Sequence, residues 1–448
     1  MPAPDPQGAA AQTPNLAWLF GLQRFGARPG LERVRALAAD VGAPQDGMRL
    51  VLVAGTNGKG SVARTVAACL EESGARTGLF VSPHLQHVGE RAQVDGVIAD
   101  ELEMERWVAQ VRPHAERLGA TFFEVVTVAA LLRFAAAAVA WAVMEVGMGG
   151  RLDATNAFEP ELSLITSVAL DHMGVLGDTL EQIAREKAGI LRPGVPAVSS
   201  AEGTAAVAIT EEAARIGAPV AFLGETFFGS VSQVSWDGTT LAFRDQELHP
   251  QPLHLVTPLV GRHQAANVAL AAAAALRLGI EPEQVVRAVA RVRWPGRLER
   301  VHHRGRWFVL DGAHNPQAAA ALAAALVELE GSVATLVLGM SHDKDAEGVA
   351  GPLLPLARRV FTSRAAGSPR ALAPDALADV VSAGTLPKPG SGAEPRVRAI
   401  DDLPTALAAA LDATPMGGTI VVAGSLFLVG EARSWLSGEA AERYERWQ

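Results

Sequence analysis

Residues 51–63 read VLVAGTNGKGSVA, an apolar run ending in three glycines set around Asn57 and Lys59, then a helical pattern. A strand, a glycine turn and a helix start make a cradle for phosphate, because the helix's first N–H groups and positive end face the turn. The spacing departs from the P-loop G-x-x-x-x-G-K-[ST]. Counted back from Gly58, the first glycine falls at Val53, and Gly60 stands where a hydroxyl should follow Lys59, leaving Ser61 one residue late. Gly55, Thr56, Asn57, Gly58, Lys59, Gly60 and Ser61 are read as a phosphate-binding turn, with Lys59 as a mobile charge for terminal phosphates. A dinucleotide turn and a plain strand-to-helix turn are the alternatives. The first lacks its glycine order here, and no acidic residue follows a second strand where one is expected.

Further clusters follow other apolar runs. In SPHL (82–85) the Ser82 hydroxyl suits either a Mg²⁺ ligand or a helix cap. In EVGMGGRLDATN (145–156), Glu145 ends a strongly apolar run among glycines that let a ligand approach, which suits a metal carboxylate. Asp171 and His172 end another run, where a structural histidine is the commoner outcome. Lys187, in the apolar-flanked EKAGI, is a poor place for an ordinary ammonium. It suits an uncharged amine acting as base or reacting with CO₂ to a carbamate. From spacing alone, an ion pair with Glu186 or Asp178 is preferred. In GRHQAAN (261–267), Gln264 and Asn267 offer amides for an adenine edge. In DGAHNP (311–316), Asp311 and His314 suit a ribose or substrate, Asn315 a helix cap and Pro316 the first helical turn. SHDKD (341–345) follows one more strand.

Composition sharpens this. Among 39 Lys and Arg residues only Lys59, Lys187, Lys344 and Lys388 are lysine, so arginine serves wherever charge alone is needed. Three of the four lie in the clusters above, as do Asn57, Asn156, Asn267 and Asn315 of the five asparagines. A net charge of −9 argues against nucleic-acid or anionic-membrane partners. Cys69 is the single cysteine, which excludes an internal disulfide and suits the cytoplasm. Residues 125–144 approach membrane-span length, but Arg133 and the alanine content favour a buried helix followed by a strand.

The elements that must position these residues are α/β. RLVLVAG, RTGLFVS, WAVMEVG, LSLITSV and VPAVSS read as buried strands with helices between them, hence a mainly parallel sheet. SWDGTTLAF adds an antiparallel hairpin insert around Asp-Gly. RVRWPGRLERV (291–301) reads as a linker. After it WFVLDGAHN, ATLVLGM, RRVFTS, VRAID and TIVVAGS alternate with helices as a second, smaller Rossmann-like domain, with GSGAEP (390–395) as a loop. The expected layout is a disordered lead-in at 1–14, a P-loop-type phosphate-binding domain at 15–296 and a C-terminal domain at 297–448.

In this order VAGTNGKGS, SPHL, TFFEVVT, EVGMGGRLDATN, LDHMGVLGDTLEQIAREKAGI, GRHQAAN, WPGRLE, LDGAHNP and GSLFLVGE resemble the bacterial folylpolyglutamate synthase/dihydrofolate synthase family, within the Mur ligase group. The match runs from about Leu16 to Gly430. It implies an ATP-dependent ligase that adds L-glutamate to a folate or to dihydropteroate through an acyl phosphate, with two Mg²⁺ sites, working as a cytoplasmic monomer. By matching motif, Lys59 and the turn amides hold the β- and γ-phosphates, with Ser61 in support. Ser82 and Glu145 hold one Mg²⁺, and His172 with carbamylated Lys187 the other, so the resemblance reverses the ion-pair preference. Asn267, Arg297 and Asp311 contact ATP. His314 and Ser425 lie near the incoming glutamate, and Arg91 and Asp153 contact the folate or pteroate. The stretch LQHVGERAQVDG keeps Glu90-Arg91 and Gly96 but drifts between them, which leaves both acceptors open. Two rivals stand beside this reading. One is a Mur-type ligase for UDP-muramyl precursors, disfavoured by SPHL. The other is a non-catalytic nucleotide-binding module, disfavoured because no expected ligand is missing.

Overall fold

A computed structural model describes residues 13–23, 30–383, 397–439 and 444–446. Residues 1–12, Lys388 and the 390–395 loop lie outside the described residues. Pro14 opens a helix, Pro14–Leu22, so the expected lead-in overlaps an ordered element.

The chain divides into two units by packing. The first holds an eight-stranded sheet: β1 (Arg49–Ala54), β2 (Thr77–Phe80), β3 (Ala92–Val94), β4 (Val97–Ile98), β5 (Trp141–Glu145), β6 (Leu162–Ile165), β7 (Ala197–Ser199) and β8 (Val220–Phe222). Their order is β4-β3-β2-β5-β1-β6-β7-β8. All neighbours are parallel except β2–β3 and β3–β4. The central strands are buried on both faces, the condition that makes their sequences continuously apolar rather than alternating. Val53 of β1 lies in register with Glu145 of β5 and Leu164 of β6. The register therefore brings Gly55, Glu145 and Thr166 to one C-terminal edge, where open α/β sheets bind ligands.

Residues 125–144 resolve into the helix Phe122–Ala136 and strand β5. Its Thr121–Glu124 capping box fixes the start of the helix. No described helix is long and apolar enough to cross a membrane. The insert is larger than the hairpin read from the sequence: β9 (Phe227–Ser235), β10 (Gly238–Asp245) and β11 (His249–Thr257) form a three-stranded sheet. The fully buried Asp245 carboxylate accepts from Arg277 at 2.6 Å, tying β10 to the helix Arg262–Arg277.

The second unit comprises Trp294–Gln448 together with Leu85–His87 and Val234–Asp237, so the units are not continuous in sequence. Its sheet is built from β12 (Glu299–His303), β13 (Arg306–Leu310), β14 (Val333–Leu338), β15 (Ala357–Arg364), β16 (Val397–Asp402) and β17 (Thr419–Ala423). The order is β12-β13-β17-β14-β15-β16, parallel except for β12–β13. The end of the expected linker is thus an edge strand. Leu85 lies in this unit's apolar core with Phe308, Leu428 and Val429. The helix Pro316–Leu329 starts at Asn315, whose Oδ1 accepts from the Ala318 N–H at 2.9 Å. Asn315→Ala should cost about 1 kcal/mol in urea unfolding while Asn315→Asp keeps most of it.

Candidate functional site

Strand β1 runs into Gly55, whose φ of +142° only glycine adopts easily, and a Cβ there would stand 1.7 Å from Thr166 Oγ1. The turn is laced to the segment after β6. The Thr56 N–H donates to Ser167 O at 2.7 Å, and the Thr166 hydroxyl donates to Asn57 O at 2.7 Å. Gly58, at φ +88°, caps the helix Lys59–Glu72. A Cβ there would lie 2.3 Å from Asn267 Oδ1, and Asn267 Nδ2 donates to Gln264 Oε1 at 3.0 Å. The two amides therefore brace one another and the turn. Lys59 Nζ folds back onto Thr56 O at 3.1 Å, and Ser61 is buried in the helix's first turn.

Lys187 comes from the helix Leu180–Ala188, started by a Thr179–Gln182 capping box. It is only 3% exposed, and its Nζ donates to Gly55 O at 2.9 Å. Burial, aided by the neighbouring Lys59 charge, lowers its pKa to about 7, against the opposing pull of Asp171 and Asp153. The ion pair preferred from spacing is not what holds it: Glu186 pairs with Arg151 at 3.3 Å. The EVGMGG glycines have a packing role here. A Cβ on Gly150 would stand 2.8 Å from the carbonyl oxygens of Glu186 and Lys187, so the end of the lysine's helix rests on backbone. Asn156 Nδ2 ties the two segments by donating to Arg151 O and Gly189 O, each at 3.0 Å.

Glu145, at the end of β5, is buried, and its Oε2 accepts the Ser82 N–H at 3.1 Å. Asp153 accepts from the N–H groups of Gly147, Met148 and Thr155 and from the Thr155 hydroxyl, over 2.7–3.1 Å. Burial raises its pKa, and those hydrogen bonds restrain the rise. His172 sits at φ +52° with its side chain 41% exposed, its backbone N–H donating to Asp171 Oδ1 at 2.9 Å. Asp171, whose charge pulls on Lys187, is the member of the Asp-His pair to which the sequence reading gives no role.

Arg91, expected at the folate or pteroate, is fully buried, donates to His84 Nδ1 at 2.8 Å and lies over the Phe122 ring at 5.1 Å, so it also braces SPHL.

In the second unit, the ends of β13 and β17 bring the remaining residues together. Asp311 accepts the N–H groups of Leu298 and Ala313 at 2.8 and 2.9 Å. The Gly424 N–H donates to Ala313 O at 2.9 Å, setting Ser425 beside the 311–314 turn. Ser425 caps the helix Leu426–Ser437, and His314 Nδ1 lies 2.8 Å from Gly312 O. A Cβ on Gly312 would meet Arg297 Nη1 at 2.6 Å. Arg297, Asp311, His314 and Ser425 thus form one set. The turn, Ser82, Glu145, Asp153, Lys187 and Asn267 lie in the first unit.

Among the described residues no three His, Cys, Asp or Glu side chains form a metal cluster. A Mg²⁺ site needs few protein ligands, since the ion keeps several waters, and a buried strand-end carboxylate such as Glu145 is the donor it takes.

Residues 53–275 match the Mur ligase middle domain, and residues 296–426 match the Mur ligase glutamate ligase domain. A Haloferax volcanii protein described as a bifunctional folylpolyglutamate synthase/dihydropteroate synthase is 39% identical over 434 residues, covering 93% of this chain and 49% of that one. The chain therefore spans about half the length of the first curated relatives it matches. The dihydrofolate synthase/folylpolyglutamate synthase of Mycobacterium tuberculosis is 36% identical over 441 residues, covering 91% of this chain and 90% of that one. The structure of Mycobacterium tuberculosis folylpolyglutamate synthase complexed with ADP matches with a TM-score of 0.87 and 32% identity, over 96% of this chain and 99% of that one. On both domains and nearly its whole length, the chain belongs to the folylpolyglutamate synthase/dihydrofolate synthase family of Mur ligases.

Proposed function

We propose that the protein is an ATP-dependent ligase that joins L-glutamate to a folate, to dihydropteroate, or to both. The observation that carries this is the buried Lys187 amine set on the first glycine of the phosphate turn. An amine of lowered basicity against a nucleotide cradle is what a ligand-holding carbamate requires.

The acceptor carboxylate attacks the γ-phosphorus of ATP, ADP departs, and an acyl phosphate remains. The glutamate amine then attacks the acyl carbon and phosphate leaves with the C–O bond. Neither step needs a protein nucleophile, so positioning and charge neutralisation supply the rate. Lys59 and the first N–H groups of its helix hold the β- and γ-phosphates, with Ser61 and Gly60 shaping that first turn. Asn267, Arg297 and Asp311 contact ATP, His314 and Ser425 orient glutamate, and Asp153 meets the acceptor. Ser82 with Glu145, and His172 with carbamylated Lys187, would hold two Mg²⁺ ions, which when bound offset the phosphate charge. We further propose a cytoplasmic monomer. Its Cys69 thiol is buried and pushed up to about 12, and so stays protonated.

Phosphate release, measured with glutamate plus dihydropteroate, tetrahydrofolate or a UDP-muramyl acceptor, tests the reading, and mass spectrometry identifies the product. Release dependent on either of the first two supports it. Dependence on the muramyl acceptor alone, or on no acceptor, would sink it.

A further inference from the structure

Thr56 is expected, from its place in the turn, to contact the nucleotide. Its polar groups point elsewhere. Its N–H is given to Ser167 O at 2.7 Å. Its hydroxyl donates to Ala169 O at 3.2 Å and accepts from the Ala169 N–H at 3.1 Å. A hydroxyl has one proton. With that proton on Ala169 O, Thr56 Oγ1 can offer an anion only lone pairs, so it is no phosphate donor. The reciprocal pair imitates a strand ladder, made by a side chain 113 residues away in sequence. Asn57 O completes the seam by accepting from the hydroxyls of Thr166 and Ser167 at 2.7 and 3.3 Å.

The seam stops two residues before Asp171. There the chain turns into His172 at φ +52°, a left-handed backbone that costs a residue with a Cβ about 1 kcal/mol and persists only where neighbours fix it. Two fixings stand on either side: the Thr56–Ala169 pair before the turn and the Asp171 Oδ1–His172 N–H bond at 2.9 Å within it.

We propose that Thr56 is a positioning residue: its side chain ties the nucleotide turn to the 167–172 segment and so sets where Asp171 and His172 stand when ATP is bound. This rests on the ligase reading above. One clamp then shapes both the cradle and the loop that reaches the reacting phosphate.

The test is Thr56→Val, which keeps the shape and removes both hydrogen bonds, with Thr56→Ser as the conservative rescue. Amide hydrogen exchange at Ala169 should speed by about tenfold or more in Thr56→Val, because its acceptor is gone. Turnover should fall by about tenfold, while the ADP Kd measured without divalent metal moves less than about threefold. Thr56→Ser should restore all three, and thermal melts confirm that each variant folds. Loss of ADP affinity as large as the loss of turnover would make the hydroxyl a nucleotide ligand and overturn the proposal. So would fast exchange at Ala169 with turnover unchanged. Wild-type turnover is the control on the ligase reading. The exchange and ADP measurements do not depend on it, so failure of either is told from failure of the other.

Discussion

Replacing Lys187 by arginine or methionine should reduce ligation by about a thousandfold or more while the protein still folds. The side chain is 3% exposed and bonded to Gly55 O, so it cannot be a general surface charge. Arginine keeps the charge but never loses its proton and cannot form a carbamate. Methionine fits the buried path without bringing an ion into it, so Lys187→Met separates chemistry from folding even if the larger guanidinium disturbs packing. Carbamate formation joins the amine nitrogen to CO₂ and releases one proton, and only the neutral amine attacks. With the pKa at about 7, wild-type activity should climb as pH rises through 7. It should fall in CO₂-depleted buffer and return with bicarbonate. Near-normal turnover of Lys187→Arg, or indifference to CO₂, would rule the carbamate out.

The same shift bears on stability in CO₂-depleted protein. The folded pKa of about 7 lies below the unfolded value of 10.5, so the folded state disfavours the ammonium. That cost is complete below pH 7 and fades as pH climbs towards 10.5. Lys187→Met should therefore be more stable than wild type at pH 6, with the gap closing over that window. A gap that ignores pH would mean the amine is not desolvated.

Much of this site was legible because its parts sit where sequence patterns are strongest. The strands β1, β5, β6 and β17 and the last three residues of β13 are buried, so they read as mainly apolar runs, and the clusters at 55–61, 145–156 and 311–316 begin where such runs stop. Asn315 and Pro316 announce their helix by local bonding alone. What stayed hidden depends on partners far along the chain. Strand β12 is a half-exposed edge whose polar residues read as linker, and β11 is masked by Pro250 and Pro252. β3 and β4 are too short to show a period. The packing of Arg91 against His84 and Phe122 is likewise invisible in the sequence. Leu85, read as part of a metal motif, belongs to the other unit's core. Thr56 is the sharpest case: a turn residue whose hydroxyl pairs with Ala169, 113 residues along the chain.

Gly58→Ala should weaken ADP binding by about a hundredfold and destabilise the fold, through two separable effects. One is backbone strain: Gly58 holds φ +88° as the helix cap, and a Cβ costs about 1–2 kcal/mol in such a left-handed conformation. The other is a collision. The added Cβ would stand 2.3 Å from Asn267 Oδ1 and 2.9 Å from its Cγ. Asn267 is buried on the helix Arg262–Arg277 and held by Gln264 at 3.0 Å, so it yields only by breaking that bond. Together these reach about 3 kcal/mol, which is the hundredfold. The second substitution Asn267→Ala removes the colliding atoms and leaves the strain. In the double variant, the loss should be smaller than the sum of the single losses by about 1–2 kcal/mol. Strict additivity would mean that the two residues do not press on one another and that Gly58 acts through its backbone alone. Unimpaired ADP binding in Gly58→Ala would remove the turn from the nucleotide site altogether. The turn's odd spacing would then be a matter of strand-to-helix geometry, with the phosphate held elsewhere.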